Sequence, residues 1–79
     1  MKEKVVFKKF SDGDVIAIFP EIPYNEYTED TCMSYMHIGQ HGECSLSLLH
    51  ELETAKPEER QALMDELESL GYILNEMAL

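Results

Sequence analysis

The sequence has no tryptophan, and its 79 residues include only three phenylalanines and four tyrosines. It also lacks long apolar runs. The longest run near the amino terminus covers residues 5–7, which is too short for the core of a signal peptide. No stretch approaches the roughly 18 apolar residues that cross a membrane. We therefore expect one domain, residues 1–79, that is located in the cytoplasm and has no membrane segment.

Cysteine is scarce as well. Cys32 and Cys44 are the only two, and they do not form a C-x-x-C motif. Thiols stay reduced in the cytoplasm, and two widely spaced cysteines are not the pattern of a disulfide framework. We expect both side chains to be free thiols.

Basic residues are few and unevenly placed. Six lysines and arginines stand against sixteen aspartates and glutamates, which gives a net charge of −10. Residues 1–10 hold four lysines and one glutamate, whereas residues 11–79 hold Lys56 and Arg60 against fifteen carboxylates, a balance of −13. Such a surface repels phosphate backbones, so direct nucleic-acid binding is disfavoured. Two interpretations stay open: solvated helix faces that keep the chain soluble, or an acidic face that meets a basic partner, for example by imitating nucleic acid.

The first part of the chain has the pattern of a β-hairpin. Residues 4–10 and 14–19 are rich in Val, Ile and Phe, and Asp12-Gly13 between them readily adopts positive φ. Lys8 and Lys9 predict an exposed or edge position for the first strand. The second strand has no consistently polar face, so we expect it to lie centrally and to be covered on both sides.

The rest of the chain predicts one strand, two helices and a final strand. Residues 31–38 alternate like a strand, and residues 45–53 have the spacing of a short helix with Ser45 as its N-cap. Leu46 and Leu48 would also fit a strand. Residues 57–70 form the clearest helix, with Pro57 at its first position and Gly71 just beyond its end. Residues 72–77 predict the last strand, without fixing its place in the sheet. The predicted fold is a two-layer α+β domain in the order β-β-β-α-α-β, with a three- or four-stranded, mostly antiparallel sheet and both helices on one face.

Three segments of the chain carry a resemblance to a known group. They are Asp-Gly-Asp-Val-Ile-Ala-Ile-Phe-Pro at residues 12–20, Tyr-Met-His-Ile-Gly-Gln-His-Gly at 35–42 and Glu-Leu-Glu-Ser-Leu-Gly-Tyr at 66–72. Together they resemble a group of small, uncharacterised bacterial proteins that are common on mobile or phage-like genetic elements. The resemblance spans about residues 10–75. It implies a shared small α+β fold and a bacterial, cytoplasmic setting, but no catalytic or binding residues.

The reactive side chains are concentrated between residues 32 and 50. Thiolates and imidazoles are the ligands of a tetrahedral zinc site, and four of them occur here: Cys32, His37, His41 and Cys44. The spacing is poor, because the glycines at 39 and 42 predict a turn rather than the helix on which an H-x-x-x-H pair would align. The alternative interpretation makes the cysteines small buried apolar groups and the histidines ordinary strand and turn residues.

The same segment permits two further hypotheses. In the first, His41 activates Cys44 or Cys32 as a nucleophile, although no third residue of a triad is evident. In the second, the glycine turn is a recognition surface of polar and aromatic side chains, the kind that is enriched in protein interfaces. The candidate interaction residues are Tyr24, Tyr27, Tyr35, His37, Gln40 and His41.

The sequence therefore favours a small, acidic, non-enzymatic protein-interaction module, accessory or inhibitory, that docks a basic protein partner and needs no cofactor. A small metal-binding domain that uses residues 37–44 is the alternative. A cysteine-dependent enzyme is a more remote one.

Overall fold

A computed structural model describes residues 2–24, 27, 29–36 and 40–77. Their fold is α+β, and most strand pairs are antiparallel, as predicted. The elements in chain order are β1 (Glu3–Lys9), β2 (Val15–Phe19), β3 (Thr31–Met36), β4 (Gln40–Ser45), α1 (Leu48–Glu51), β5 (Glu53–Thr54), α2 (Pro57–Ser69) and β6 (Leu74–Glu76). No helix in these residues is long and apolar enough to cross a membrane.

The predicted number and order of strands are wrong. Among the described residues the sheet has six strands: five lie in the order β4-β3-β2-β1-β5, and β6 pairs in parallel with β1. The sequence pattern missed β5 because it has only two residues, and it missed β4 because a glycine lies inside it. Short strands of this kind are held by their neighbours rather than by their own composition.

The predicted β1–β2 hairpin is confirmed. The strands pair antiparallel, with Val6 opposite Ile18. The Phe10 N–H donates to the Asp14 carbonyl at 2.8 Å, and the Gly13 N–H donates to the Phe10 carbonyl at 2.9 Å. Gly13 has a φ of 98°, so the tight connection depends on a residue without a Cβ.

The prediction that Lys8 and Lys9 mark an exposed edge is wrong. β1 lies inside the sheet, because it pairs with β2 on one side and with β5 and β6 on the other. The Lys8 side chain is buried, and its Nζ donates to the Thr54 hydroxyl at 3.2 Å. The Lys9 ammonium binds the carboxylate of Glu59 at 2.8 Å. These lysines therefore join β1 to later elements.

β2 is central and covered on both sides, as predicted. Its alternating side chains enter two different apolar clusters. Val15, Ala17 and Phe19 lie in the first cluster, which α2 covers with Leu63 and Leu67. Ile16 and Ile18 lie in the second, against which the leucines of the α1 region pack: Leu46, Leu48, Leu49 and Leu52. The two helices therefore cover opposite faces, and the prediction that both lie on one face is wrong.

The segment around residue 45 also differs from its prediction. Residues 40–45, expected to be a glycine turn leading into a helix at Ser45, form β4, which pairs with β3 over six residues. Ser45 ends this strand, and Ser47 is the N-cap of a helix of only four residues. Gly42 lies opposite Ser34, whose hydroxyl donates to the Gly42 carbonyl at 3.0 Å. Cross-strand pairing here outweighs the weak strand propensity of glycine.

The prediction for α2 is confirmed to within one residue. Pro57 occupies its first turn, and the Glu59 carboxylate accepts a 2.8 Å hydrogen bond from the Lys56 backbone N–H. At the other end, the Gly71 N–H donates to the Glu68 carbonyl and the Tyr72 N–H to the Leu67 carbonyl. This pair of bonds is a Schellman motif, with Gly71 as the left-handed residue at φ 104°.

The last predicted strand is shorter than expected. β6 covers Leu74–Glu76 rather than residues 72–77, and it runs parallel to β1 with Glu3 opposite Leu74. The turn at Gly71 directs Tyr72 back to the first apolar cluster before this strand begins. Arg60 connects the strand to α2, because its Nε donates to the Glu76 carboxylate at 2.9 Å.

Replacing the glycine that ends α2 should destabilise the fold. We expect Gly71→Ala to lower the free energy of unfolding by about 1–2 kcal/mol, because alanine is strained at positive φ. Urea denaturation measures this loss. Gly42→Ala is the matched control: Gly42 does not have positive φ and a Cβ there would meet nothing within 4 Å, so stability should stay equal or rise slightly. Equal losses in the two variants would contradict this reading of Gly71.

The ion pair between Lys9 and Glu59 should make stability depend on pH. Their hydrogen bond raises the pKa of Lys9 above its ordinary 10.5 and lowers the pKa of Glu59 below its ordinary 4.5. The pair therefore stabilises the fold between those values. This stabilisation is lost as the pH falls through the folded pKa of Glu59, or rises through that of Lys9.

Glu59→Gln tests this ion pair, since the amide oxygen can still accept the Lys56 N–H. We expect the variant to be less stable than the wild type near neutral pH and equally stable in strong acid, as measured by denaturation across pH. Glu58→Gln, on the same helical turn and exposed, is the control and should show no such pH-dependent difference. If Glu59→Gln were less stable than the wild type by the same amount at every pH, the ion pair would not be the source of the pH dependence.

Candidate functional site

The β3–β4 hairpin distributes the predicted site residues over two faces of the sheet. Tyr35 lies opposite His41, and Cys32 lies opposite Cys44. Side chains alternate between faces along a strand, so the two pairs point in opposite directions. Tyr35 belongs to the cluster covered by α2, whereas both cysteines belong to the cluster on the α1 side.

On the α2 face, His41 joins a group of aromatic side chains. Its ring meets the Tyr35 ring edge-on, with 4.6 Å between centroids, and its Nε2 lies 3.0 Å from the Tyr72 hydroxyl. The Tyr72 ring in turn stacks on Phe19 at 5.4 Å. The Tyr35 hydroxyl donates to the Glu66 carboxylate, which connects β3 to α2. The imidazole is thus held in place by two tyrosines.

The surface beside this group is apolar and exposed. His41, Leu70, Gly71 and Tyr72 line a shallow depression of about 350 Å³, and we call these four residues the Leu70 surface. Leu70 is 55% exposed, and Ile73, next in the chain after Tyr72, is 56% exposed. Large apolar side chains that stay this exposed beside aromatic rings are typical of protein contact sites.

The predicted interaction residues are only partly brought together. Tyr35 is 1% exposed, so it supports His41 from beneath and cannot anchor a partner. Tyr24 and Tyr27 are exposed and lie between β2 and β3. Gln40 begins β4 opposite Met36, and His37 lies outside the described residues.

Sequence reasoning missed Leu70 and Tyr72 as parts of the Leu70 surface, and it missed Glu66 as the hydrogen-bond partner of Tyr35. One signal was available for Tyr72. A glycine just after a helix predicts a Schellman motif, and the residue that follows such a glycine folds back against the last turn of the helix. The hydrogen bond from Tyr35 to Glu66 depends on how α2 sits on the sheet, which no local pattern reveals.

On the α1 face, the two cysteines form a close pair. Their Sγ atoms are 3.8 Å apart, and both are free and buried thiols. Burial, followed by the proximity of Cys44, raises the pKa of Cys32 to about 12. At neutral pH this side chain is therefore a protonated thiol.

The four predicted metal ligands do not all converge. Cys32 and Cys44 are together, but His41 is on the opposite face of the sheet, and His37 is not among the described residues. Within the part of the chain that the structure describes, no three His, Cys, Asp or Glu side chains are grouped to hold a metal ion. The same separation prevents His41 from activating either thiol.

No family model, curated protein or solved structure matches this chain. The resemblance to small bacterial proteins of mobile elements stays a prediction.

The buried hydroxyl of Tyr35 should matter more than the exposed hydroxyl of Tyr72. We expect Tyr35→Phe to cost about 1 kcal/mol of stability, because it removes the donor to a half-buried carboxylate. Tyr72→Phe, which leaves the ring stacking unchanged, should cost no more than about 0.5 kcal/mol. Urea denaturation measures the loss of stability in each variant. A larger loss for Tyr72→Phe than for Tyr35→Phe would contradict the prediction.

Proposed function

We propose that this chain is a small, non-enzymatic protein-interaction module, accessory or inhibitory, that docks a basic protein partner. The observation that carries the proposal is the exposed Leu70 surface at the end of an acidic helix. A partner would contact the surface with an apolar side chain and the helix with lysine or arginine side chains.

The distribution of charge supports a basic partner. Four of the six cationic side chains are used inside the fold, three in ion pairs and one by burial. They are Lys4 with Glu21, Lys9 with Glu59, Arg60 with Glu76, and the buried Lys8. Each of these ion pairs also neutralises one carboxylate, so the net charge of −10 remains on the other acidic side chains. The resulting negative field attracts a basic protein and speeds its association.

The outward side of α2 places several of these carboxylates together. Glu58, Asp65 and Glu68 are exposed and lie at helical spacings of seven and three residues, so they share one side of the helix. Gln61 is between them and donates to the Asp65 carboxylate at 2.8 Å. Leu70 follows within one turn of Glu68. An apolar centre with a charged rim is the usual arrangement of a protein interface.

The geometry also supports a non-enzymatic role. Among the described residues, His41 is the one histidine on β3 or β4. Its side chain faces away from both thiols. Cys32 has a raised pKa, whereas a catalytic cysteine needs a lowered one. We propose a cytoplasmic, bacterial setting as well, on the strength of the cysteine composition and the sequence resemblance.

Affinity capture from bacterial lysate at low and high salt tests the proposal. The informative variant removes the acidic side of α2: Glu58→Gln, Asp65→Asn and Glu68→Gln. Its matched control removes three exposed carboxylates elsewhere: Glu29→Gln, Asp30→Asn and Glu51→Gln. Both carry the same net charge, so a difference between them reports position.

We expect the wild type and the control to recover the same basic protein at low salt. The α2 variant and Leu70→Asp should lose it, and high salt should weaken the capture by the wild type because exposed charges are screened. Recovery of no protein under either condition, or equal recovery by all four chains, would refute the proposal.

A further inference from the structure

The two thiols on the α1 face have the geometry of a disulfide that has not formed. Cys32 and Cys44 are directly opposite each other on antiparallel strands, with Sγ atoms 3.8 Å apart. Residues paired in this way have Cα atoms about 4.5–5.5 Å apart, inside the range of about 4.4–6.8 Å that a disulfide requires. Rotation of the two side chains can close the gap to the roughly 2.05 Å of an S–S bond without moving the strands.

One of the two sulfurs can be reached from a groove. A groove of about 510 Å³ on this face is lined by Phe10, Ile16, Ser34, Met36 and Leu48 and by residues 41–44 of β4, and Cys32 is not part of its lining. Cys44 points its thiol to this face, whereas His41 is in the lining although its ring packs on Tyr35 on the opposite face. Cys44 is 8% exposed and Cys32 is 1% exposed. Cys44 also lies on β4, which among the described strands pairs only with β3. A small molecule in the groove can therefore contact the Cys44 thiol, whereas the Cys32 thiol lies deeper and is not accessible from the groove.

We propose that Cys44 and Cys32 form a redox-active dithiol that a small hydroperoxide converts into a cross-strand disulfide. The Cys44 sulfur attacks one peroxide oxygen, so an S–O bond forms and the O–O bond breaks. The thiol proton leaves with the departing hydroxide as water. Cys44 is then a sulfenic acid, and the peroxide has been reduced.

The second step uses the neighbouring thiol. The Cys32 sulfur attacks the Cys44 sulfur, the S–S bond forms and the S–O bond breaks, and the proton of Cys32 leaves with the hydroxide as a second water. Two thiols and hydrogen peroxide thus become one disulfide and two waters. Cys32 takes this later step because its sulfur lies 3.8 Å from that of Cys44, and its raised pKa disfavours a reaction of Cys32 itself with the peroxide.

The disulfide would fasten the outer strand β4 to the rest of the sheet. Disulfides in reducing compartments are usually transient, and they serve catalysis or redox sensing. The reaction does not depend on the proposed partner, because the dithiol and the Leu70 surface lie on opposite faces.

Treatment of the purified full chain with hydrogen peroxide tests this inference. We expect the intact mass to fall by two hydrogen atoms, a non-reducing digest to link Cys32 with Cys44, and the chain to remain free of intermolecular disulfides. The melting temperature should rise by on the order of 10 °C, because the crosslink closes a loop of roughly a dozen residues, and dithiothreitol should reverse the rise.

Two single variants distinguish the roles of the cysteines. Cys32→Ala should accumulate a sulfenic acid on Cys44 that dimedone traps, whereas Cys44→Ala should leave Cys32 mostly unmodified at the same dose. Circular dichroism checks that each variant is folded. If a variant does not fold, disulfide formation in the wild type still tests the proposal. The inference fails if the wild type keeps both thiols at a dose that oxidises a free model thiol. It also fails if the oxidised wild type contains intermolecular disulfides or sulfonic acid instead of the internal link.

Discussion

The fold depends on one strand whose two sides are both buried. β2 has five apolar residues and no solvated face, so it needs cover above and below as well as a strand on each edge. Each fully buried aliphatic or aromatic side chain contributes about 1.5–3 kcal/mol. The requirement for cover on both faces explains why α2 packs on one side while the α1 leucines pack on the other. It also explains why β1 and β3 carry their own apolar residues on both faces.

The sequence predicts those parts of the architecture that neighbouring residues encode, and it fails for those that depend on residues far apart in the chain. The Asp12-Gly13 hairpin and α2 are encoded locally, by a turn dipeptide and by a helix with proline at its start and glycine beyond its end, and both were predicted. β5 and β6 are two and three residues long and exist because β1 offers them backbone partners. Lys8 and Lys9 indicated an edge because charge usually stays in water. Here Thr54 and Glu59, about fifty residues later, satisfy those charges instead.

The candidate site was predictable in its residue types but not in its grouping. The two glycines of residues 39–42 indicated a turn and placed His41 near the cysteines. Once residues 40–45 are a strand, alternation separates His41 from Cys44, since three positions along a strand reverse the face. The result is two distinct sites, an aromatic surface on one side and a dithiol on the other. Leu70 and Tyr72 enter the first only because the chain reverses at Gly71.

The parallel pairing of β1 with β6 has a consequence for the order of events in folding. The two hairpins, β1–β2 and β3–β4, are contiguous in the chain and can form early, whereas Glu3 meets Leu74 only after the intervening seventy or so residues have taken their places. Residues 3–5 of β1 are therefore made about seventy residues before β6, and this part of the strand edge has no partner until β6 has been made. In that interval β1 is open to pairing with a neighbouring nascent chain, and its two adjacent lysines supply charge repulsion against that error.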